Sequence, residues 1–207
     1  MPGPLAAGTI ASVITARTPQ AGLFWGLTAS LAYAATNLTL RAVALDAEAL
    51  VGALLRAIPM CLLSWTVLMA RGEAGAVARL DRRAIQALGA IGLVLHVLGN
   101  GSFQAALAMV GVSVTVPAAM SALLWGGAGA GWLLLRERVS ARAAAGLFLL
   151  MLALPLLTSG GGGGIGPAWL GALAAVVAGL SYGSGNALMR HTIVGHGLSQ
   201  WTALVPM

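Results

Sequence analysis

Lysine is absent from this 207-residue chain, cysteine occurs once, and only five residues carry a carboxylate side chain. One cysteine, Cys61, leaves neither a disulfide framework nor a thiolate metal cluster to build. Charged residues make up 8% of the chain, against roughly 25% in soluble globular domains. That deficit excludes an ordinary soluble domain. No charge of either sign occurs between residues 84 and 135 or between 143 and 189. A bilayer crossing needs about 20 apolar residues, so each run holds two. Segments of alternating polarity, the mark of a transmembrane barrel, are missing too. The class expected is a polytopic α-helical membrane protein.

What the sequence does contain is arginine: eleven of them, with a net charge of +6. In a soluble protein this surplus would point to nucleic acid. Here it sits in short loops, so the partner is the lipid bilayer and nucleic acid is not expected. The spans run from about Ala21 to Val43, Ala49 to Ala70, Ala84 to Met109, Val112 to Leu135, Ala141 to Thr158 and Ala168 to Met189, and a seventh begins near Leu198. Gly111 marks an apolar hairpin between the third and fourth, and Ser140 is placed to N-cap the fifth. With the N-terminus in the cytoplasm, nine arginines (Arg17, Arg71, Arg79, Arg82, Arg83, Arg136, Arg138, Arg142 and Arg190) fall inside and only Arg41 outside. The positive-inside rule therefore favours a multi-pass inner-membrane protein with its N-terminus inside. Residues 1–19 read as a cytoplasmic tail without the basic and apolar regions of a signal peptide.

GLFWGLTASLAYAATNLTLR at 22–41 returns as GALAAVVAGLSYGSGNALMR at 171–190, with Tyr33, Asn37 and Arg41 matched by Tyr182, Asn186 and Arg190. This is read as an internal duplication. Five crossings separate the two starts, so the second copy enters from the opposite side. Inverted repeats of that kind recur in secondary transporters, with the substrate site near the midplane. The expected fold is an inverted-repeat helical bundle: a first five-helix repeat at 20–158, a Gly-rich linker at 159–167, and the start of a second repeat at 168–207. LRAIPM at 55–60 pairs with TALVPM at 202–207, so the second repeat is expected to be incomplete, as in a fragment of a ten-helix protein.

Four stretches in this order resemble the EamA-type transporters of the drug/metabolite transporter superfamily: WGLTASLAYAATNLTLR, ALVGALLRAIPMCLL with its embedded Arg56, FQAALAMVGVSVTVPAAMSALL, and LLLRERVSARAAAGLFLL with Glu137 and Gly146. The resemblance spans residues 20–207. It departs from the family in reading ALLWGGAGAGW where many members carry a proline in the fourth helix, and in lacking the last helices. It implies ten helices in two inverted units and transport of small metabolites or drugs, commonly export. Coupling to an ion or proton gradient and homo- or hetero-oligomers are compatible with it, and no cofactor is implied. The other reading is a membrane subunit or fragment that does not itself transport.

His96, Asn100 and Gln104 recur every four residues and are expected to form one polar stripe on the third helix. Polar groups at membrane depth face a partner or a watery cavity, so the stripe either lines a path or glues helices together. His96 titrates in a range that suits proton coupling, but no acidic partner lies within a span. Tyr33, Thr36 and Asn37, with Tyr182 and Asn186, are expected to converge on a central path. Arg56, about 12 Å beyond Glu48 at 1.5 Å per residue, either anchors an anionic group or is a structural arginine. Glu137 is read as a tie for the fourth-to-fifth turn. Signals for an enzyme are poor: Tyr182-Gly183-Ser184-Gly185 is only superficially like a serine-protease loop, and the glycine run at 160–164 lacks the Lys-Ser/Thr of a phosphate loop. His191 and His196, taken to lie in a loop, have no third ligand for zinc.

Overall fold

A computed structural model describes residues 19–46, 48–137, 139–158 and 167–207. The tail at 1–18 and the glycine run fall outside the described residues. All elements among the described residues are helical: α1 (Pro19–Asp46), α2 (Ala49–Ala70), α3 (Ala74–Ala78), α4 (Arg82–Gly92), a π-helical segment (Leu93–Asn100), α5 (Gly101–Leu135), α6 (Ala141–Thr158), α7 (Ala168–His196) and α8 (Gln200–Leu204). Three helical runs among them are long and apolar enough to cross a membrane: Ala49–Ala70, Arg82–Leu134 and Ala168–His196.

The chain divides into two compact units, one ending at Thr39 and one comprising Leu40–Met207. In the first, α1 solves the problem of hydroxyls on an apolar helix internally. Thr28, Ser30, Thr36 and Thr39 each donate to the carbonyl four residues back, at 2.8–3.0 Å. Leu23, Phe24, Leu27, Leu31 and Leu38 are exposed on it. So broad an apolar surface suits hydrocarbon as its solvent.

In the second unit local chemistry sets most boundaries. Gly72, at φ +68°, stops α2, with the amide of Glu73 donating to the Leu68 carbonyl at 2.9 Å. The charged stretch after α2, expected as loop throughout, contains the short helix α3. Asp81 caps α4 through the Ala84 amide at 2.7 Å, and Ser140 caps α6 through the Ala143 amide at 3.2 Å.

The run Arg82–Leu134 has 53 residues, about 80 Å at 1.5 Å per residue and more than twice one crossing. Gly111 breaks it, with φ 75° and ψ 178°, a conformation reserved for glycine. The path of α7 shows what the break does. Gly171 lies against Met109 and Val110. Ala175 packs with Ala106 and Ala118, and Ala178 with Phe103, Leu107 and Ala119. Gly183 then meets Leu123 and Gly127. Along α7 its neighbours thus descend in number on one arm and ascend on the other. The run is a hairpin turned at Gly111, and α7 lies antiparallel to the first arm and parallel to the second. The expected third and fourth spans are these two arms. Gly111→Ala is expected to cost about 1–3 kcal/mol, the range for forcing a side chain into such a conformation, read as a lower unfolding midpoint in detergent.

Two expectations change here. Helix α7 continues past Met189 to His196, because residues 190–196 are all compatible with helix and Gly197, at φ +61°, supplies the stop. His191 and His196 are therefore helical, not loop. Glu137 ties more than its own turn. Arg136 adopts φ 53°, which folds Glu137 back beside Gly131, where its carboxylate pairs with Arg190 of α7 at 2.8 Å. His196 lies 4.0 Å from Asp81. The loop from 71 to 83 and the turn after α5 thus meet the same end of α7, and that end of the unit holds Arg71, Arg79, Arg82, Arg83, Arg136, Arg142 and Arg190. Near the opposite end Arg41 donates to the Leu107 carbonyl.

Candidate functional site

Helix α2, the π-helical segment and α7 meet around a cavity of about 420 Å³, closed on one side by α8 and the residues after it. From α2 it receives Arg56, Ala57, Met60 and Cys61; from the π-helical segment, Leu95, His96 and Asn100; from α7, Tyr182, Asn186 and Met189. Cys61 lies about 18 Å along α2, counting 1.5 Å per residue from Ala49, near the middle of that helix.

The polar groups in the cavity are connected. Tyr182 donates its hydroxyl hydrogen to Asn100 Oδ1 at 2.6 Å. Asn100 Nδ2 lies 3.0 Å from His96 Nδ1. An amide nitrogen only donates, so Nδ1 accepts and the imidazole proton sits on Nε2. The π-helical backbone carries His96 and Asn100, and π turns inside α-helices gather at functional sites. Gly99 makes the Tyr182 position accessible: a Cβ there would stand 2.9 Å from the tyrosine ring.

Beneath the hydrogen-bonded trio lies Phe103, fully buried. Its ring centre is 6.1 Å from that of Tyr182, tilted by 57°. The Arg56 guanidinium carbon stands 5.5 Å from the Phe103 ring centroid, in cation–π range. Arg56, Phe103, Tyr182, Asn100 and His96 are thus a contiguous set from four elements: α2, the π-helical segment, α5 and α7. Arg56 is the one formally charged side chain that lines the cavity, among the described residues.

Gln104 does not continue the stripe. Helix α2 comes close at Gly52, and the Gln104 side chain fills the place of the missing Cβ, 2.9 Å away. Its amide donates to the Leu40 carbonyl at 3.0 Å. Gln104 is therefore helix glue, whereas His96 and Asn100 line the cavity. Asn186 lines it as well, though largely exposed. In the first unit Tyr33 is half-buried, Thr36 is exposed and bonded within its own helix, and Asn37 is buried with no hydrogen-bond partner for its side-chain oxygen among the described residues.

Sequence reasoning overlooked Cys61, Phe103 and the residues from Gln200 onward. Phe103 lies three residues after Asn100, about a turn along, and that spacing is the signal that would have pointed to it. Cys61, five residues after Arg56 and so about 140° round the helix from it at 3.6 residues per turn, offered no such signal. A larger cavity, about 590 Å³, lies at the arginine-rich end between residues 72–84 and His196 and Leu198. Apart from buried Ala84, it is lined by exposed or half-buried groups that already meet water, so nothing forces them to converge on a ligand. No group of three or more His, Cys, Asp or Glu able to hold a metal occurs among the described residues. No family model, curated protein or solved structure matches the chain.

Proposed function

We propose that this chain belongs to a secondary membrane transporter that moves a small organic solute by alternating access, with export across the inner membrane the favoured direction. The observation that carries the reading is the Tyr182–Asn100–His96 hydrogen-bonded set beside Arg56, facing a cavity about halfway along helices that are otherwise apolar. Placing four polar side chains at that depth is costly, and a solute path gives them a reason to be there. The antiparallel and parallel relation of α7 to the two arms of the hairpin supports the alternation of crossings that an inverted repeat requires. The arginine-rich end supports a cytoplasmic placement of that end, and with it a cytoplasmic N-terminus. The resemblance to EamA-type transporters agrees with this reading.

The test is flux. Proteoliposomes holding the chain are loaded in turn with radiolabelled amino acids, organic carboxylates, organic cations and nucleosides, and release is followed. The expected result is chain-dependent release of at least one class, lost with Asn100→Leu, which removes the central residue and with it both hydrogen bonds of the set. Absence of chain-dependent release for every class would overturn the reading.

A further inference from the structure

We propose that the cavity between α2, the π-helical segment and α7 selects an organic monoanion, a carboxylate on an apolar body, with Arg56 as the group that binds the carboxylate. This deepens the transport reading above and rests on it. Three observations lead there. Arg56 is the only formally charged side chain among the described lining residues, and no Asp or Glu side chain lines the cavity to neutralise it. The guanidinium makes no hydrogen bond or ion pair among the described residues; its one contact of note is the face of Phe103. That contact holds the cation in place and leaves its five N–H donors to other partners.

The chemistry of a solute follows. A guanidinium fork matches a carboxylate in two parallel hydrogen bonds. A single positive charge balances a single negative one, so a dianionic phosphate would leave uncompensated charge among Met60, Leu95, Met189 and Leu204. Those same side chains suit an apolar body. A cationic amine would meet Arg56 with no carboxylate to hold it, and the amine of a zwitterion would share that fate. Neutral analogues of the same shape lose the charge-assisted hydrogen bonds and keep only the apolar contact.

Matched probes separate these cases: benzoate, benzamide and benzylamine, alike in size and differing in charge. Equilibrium binding of radiolabelled benzoate to the full chain in lipid nanodiscs is competed by the other two. Charge-assisted hydrogen bonds predict a preference for benzoate over benzamide of roughly 10- to 100-fold, and weaker competition still from benzylamine. Arg56→Gln is expected to abolish the preference. Arg56→Lys, which keeps a point charge and loses the fork, is expected to retain part of it. Unfolding midpoints of both variants check that the fold survives; should Arg56→Gln not fold, the preference of the native chain and of Arg56→Lys decides. Equal binding of benzamide, stronger binding of benzylamine, no benzoate binding, or an undiminished preference in Arg56→Gln would each overturn the proposal. If flux is found for amines or nucleosides while benzoate does not bind, transport stands and anion selection falls. If benzoate binds selectively and no solute moves, the reverse holds.

Discussion

Cys61 is expected to react with a charged, membrane-impermeant methanethiosulfonate reagent added to either face of the bilayer. The residue is the chain's one cysteine, it is exposed, and it lines the cavity near the midpoint of α2. Only the thiolate reacts, so both the ionised sulfur and the charged reagent need water. A charge at the bilayer centre carries a penalty of about 3 kcal/mol, which corresponds to roughly a hundredfold in rate. Helix α2 supplies its own control. Leu62, the next residue, is exposed and does not line the cavity; a Leu62→Cys change in a Cys61→Ser background is expected to react at least that much more slowly. Labelling is followed by mass spectrometry in right-side-out and inside-out vesicles separately. Reaction from both sides fits a path that opens alternately, and reaction from one side only describes a fixed vestibule. If Cys61 reacts no faster than the Leu62→Cys control from either side, the cavity does not hold a watery path and the transport reading loses its physical basis.

The second large effect concerns stability. Gly179→Ala and Gly183→Ala are each expected to destabilise the chain, although alanine is the better helix former by about 1 kcal/mol. A Cβ at Gly179 would meet the Ala119 carbonyl oxygen, and one at Gly183 the Leu123 carbonyl oxygen. Both obstacles are backbone, which no rotamer change removes, so α7 and the second arm of the hairpin must separate. Overpacking of this kind costs about 1–3 kcal/mol, enough to outweigh the gain in propensity, and the double variant adds a second separated contact along the same seam. Gly129→Ala, where no heavy atom lies within 4 Å, is expected to be neutral or slightly stabilising. Unfolding midpoints in detergent compare the three single variants. Equal stability for Gly179→Ala and Gly129→Ala would show that the close approach of these helices does not matter.

Much of the helical framework was legible in the residues because it depends on local chemistry. The shortage of charge marks apolar helices whatever their packing. Ser140 caps its helix where expected because a hydroxyl reaches an amide three residues on without help from the rest of the chain. Gly111 turns the hairpin because a positive φ is a property of glycine. The π-helical segment was not legible, since apolar spacing over eight residues does not distinguish it from α-helix. The length of α7 was misjudged because polar residues at 190–192 suggest an exit from hydrocarbon, whereas helix ends where a backbone stop occurs, here at Gly197. The split of the His96, Asn100 and Gln104 stripe was hidden as well. It depends on the approach of Gly52 from another helix.

The amino-acid sequence by itself determined that this is an all-helical chain suited to a membrane, which residues cap and turn its helices, and which few polar groups it carries at depth. Those follow from transfer free energies and from backbone preferences acting over a few residues. Tertiary structure alone decided that Arg56, Cys61, His96, Asn100 and Tyr182 share one cavity while Gln104 does not. Tyr182 reaches Asn100 across 82 positions of chain, and only side-chain packing between α7 and the hairpin, with glycines admitting the close approach, selects that partner over the other polar groups within the chain's reach.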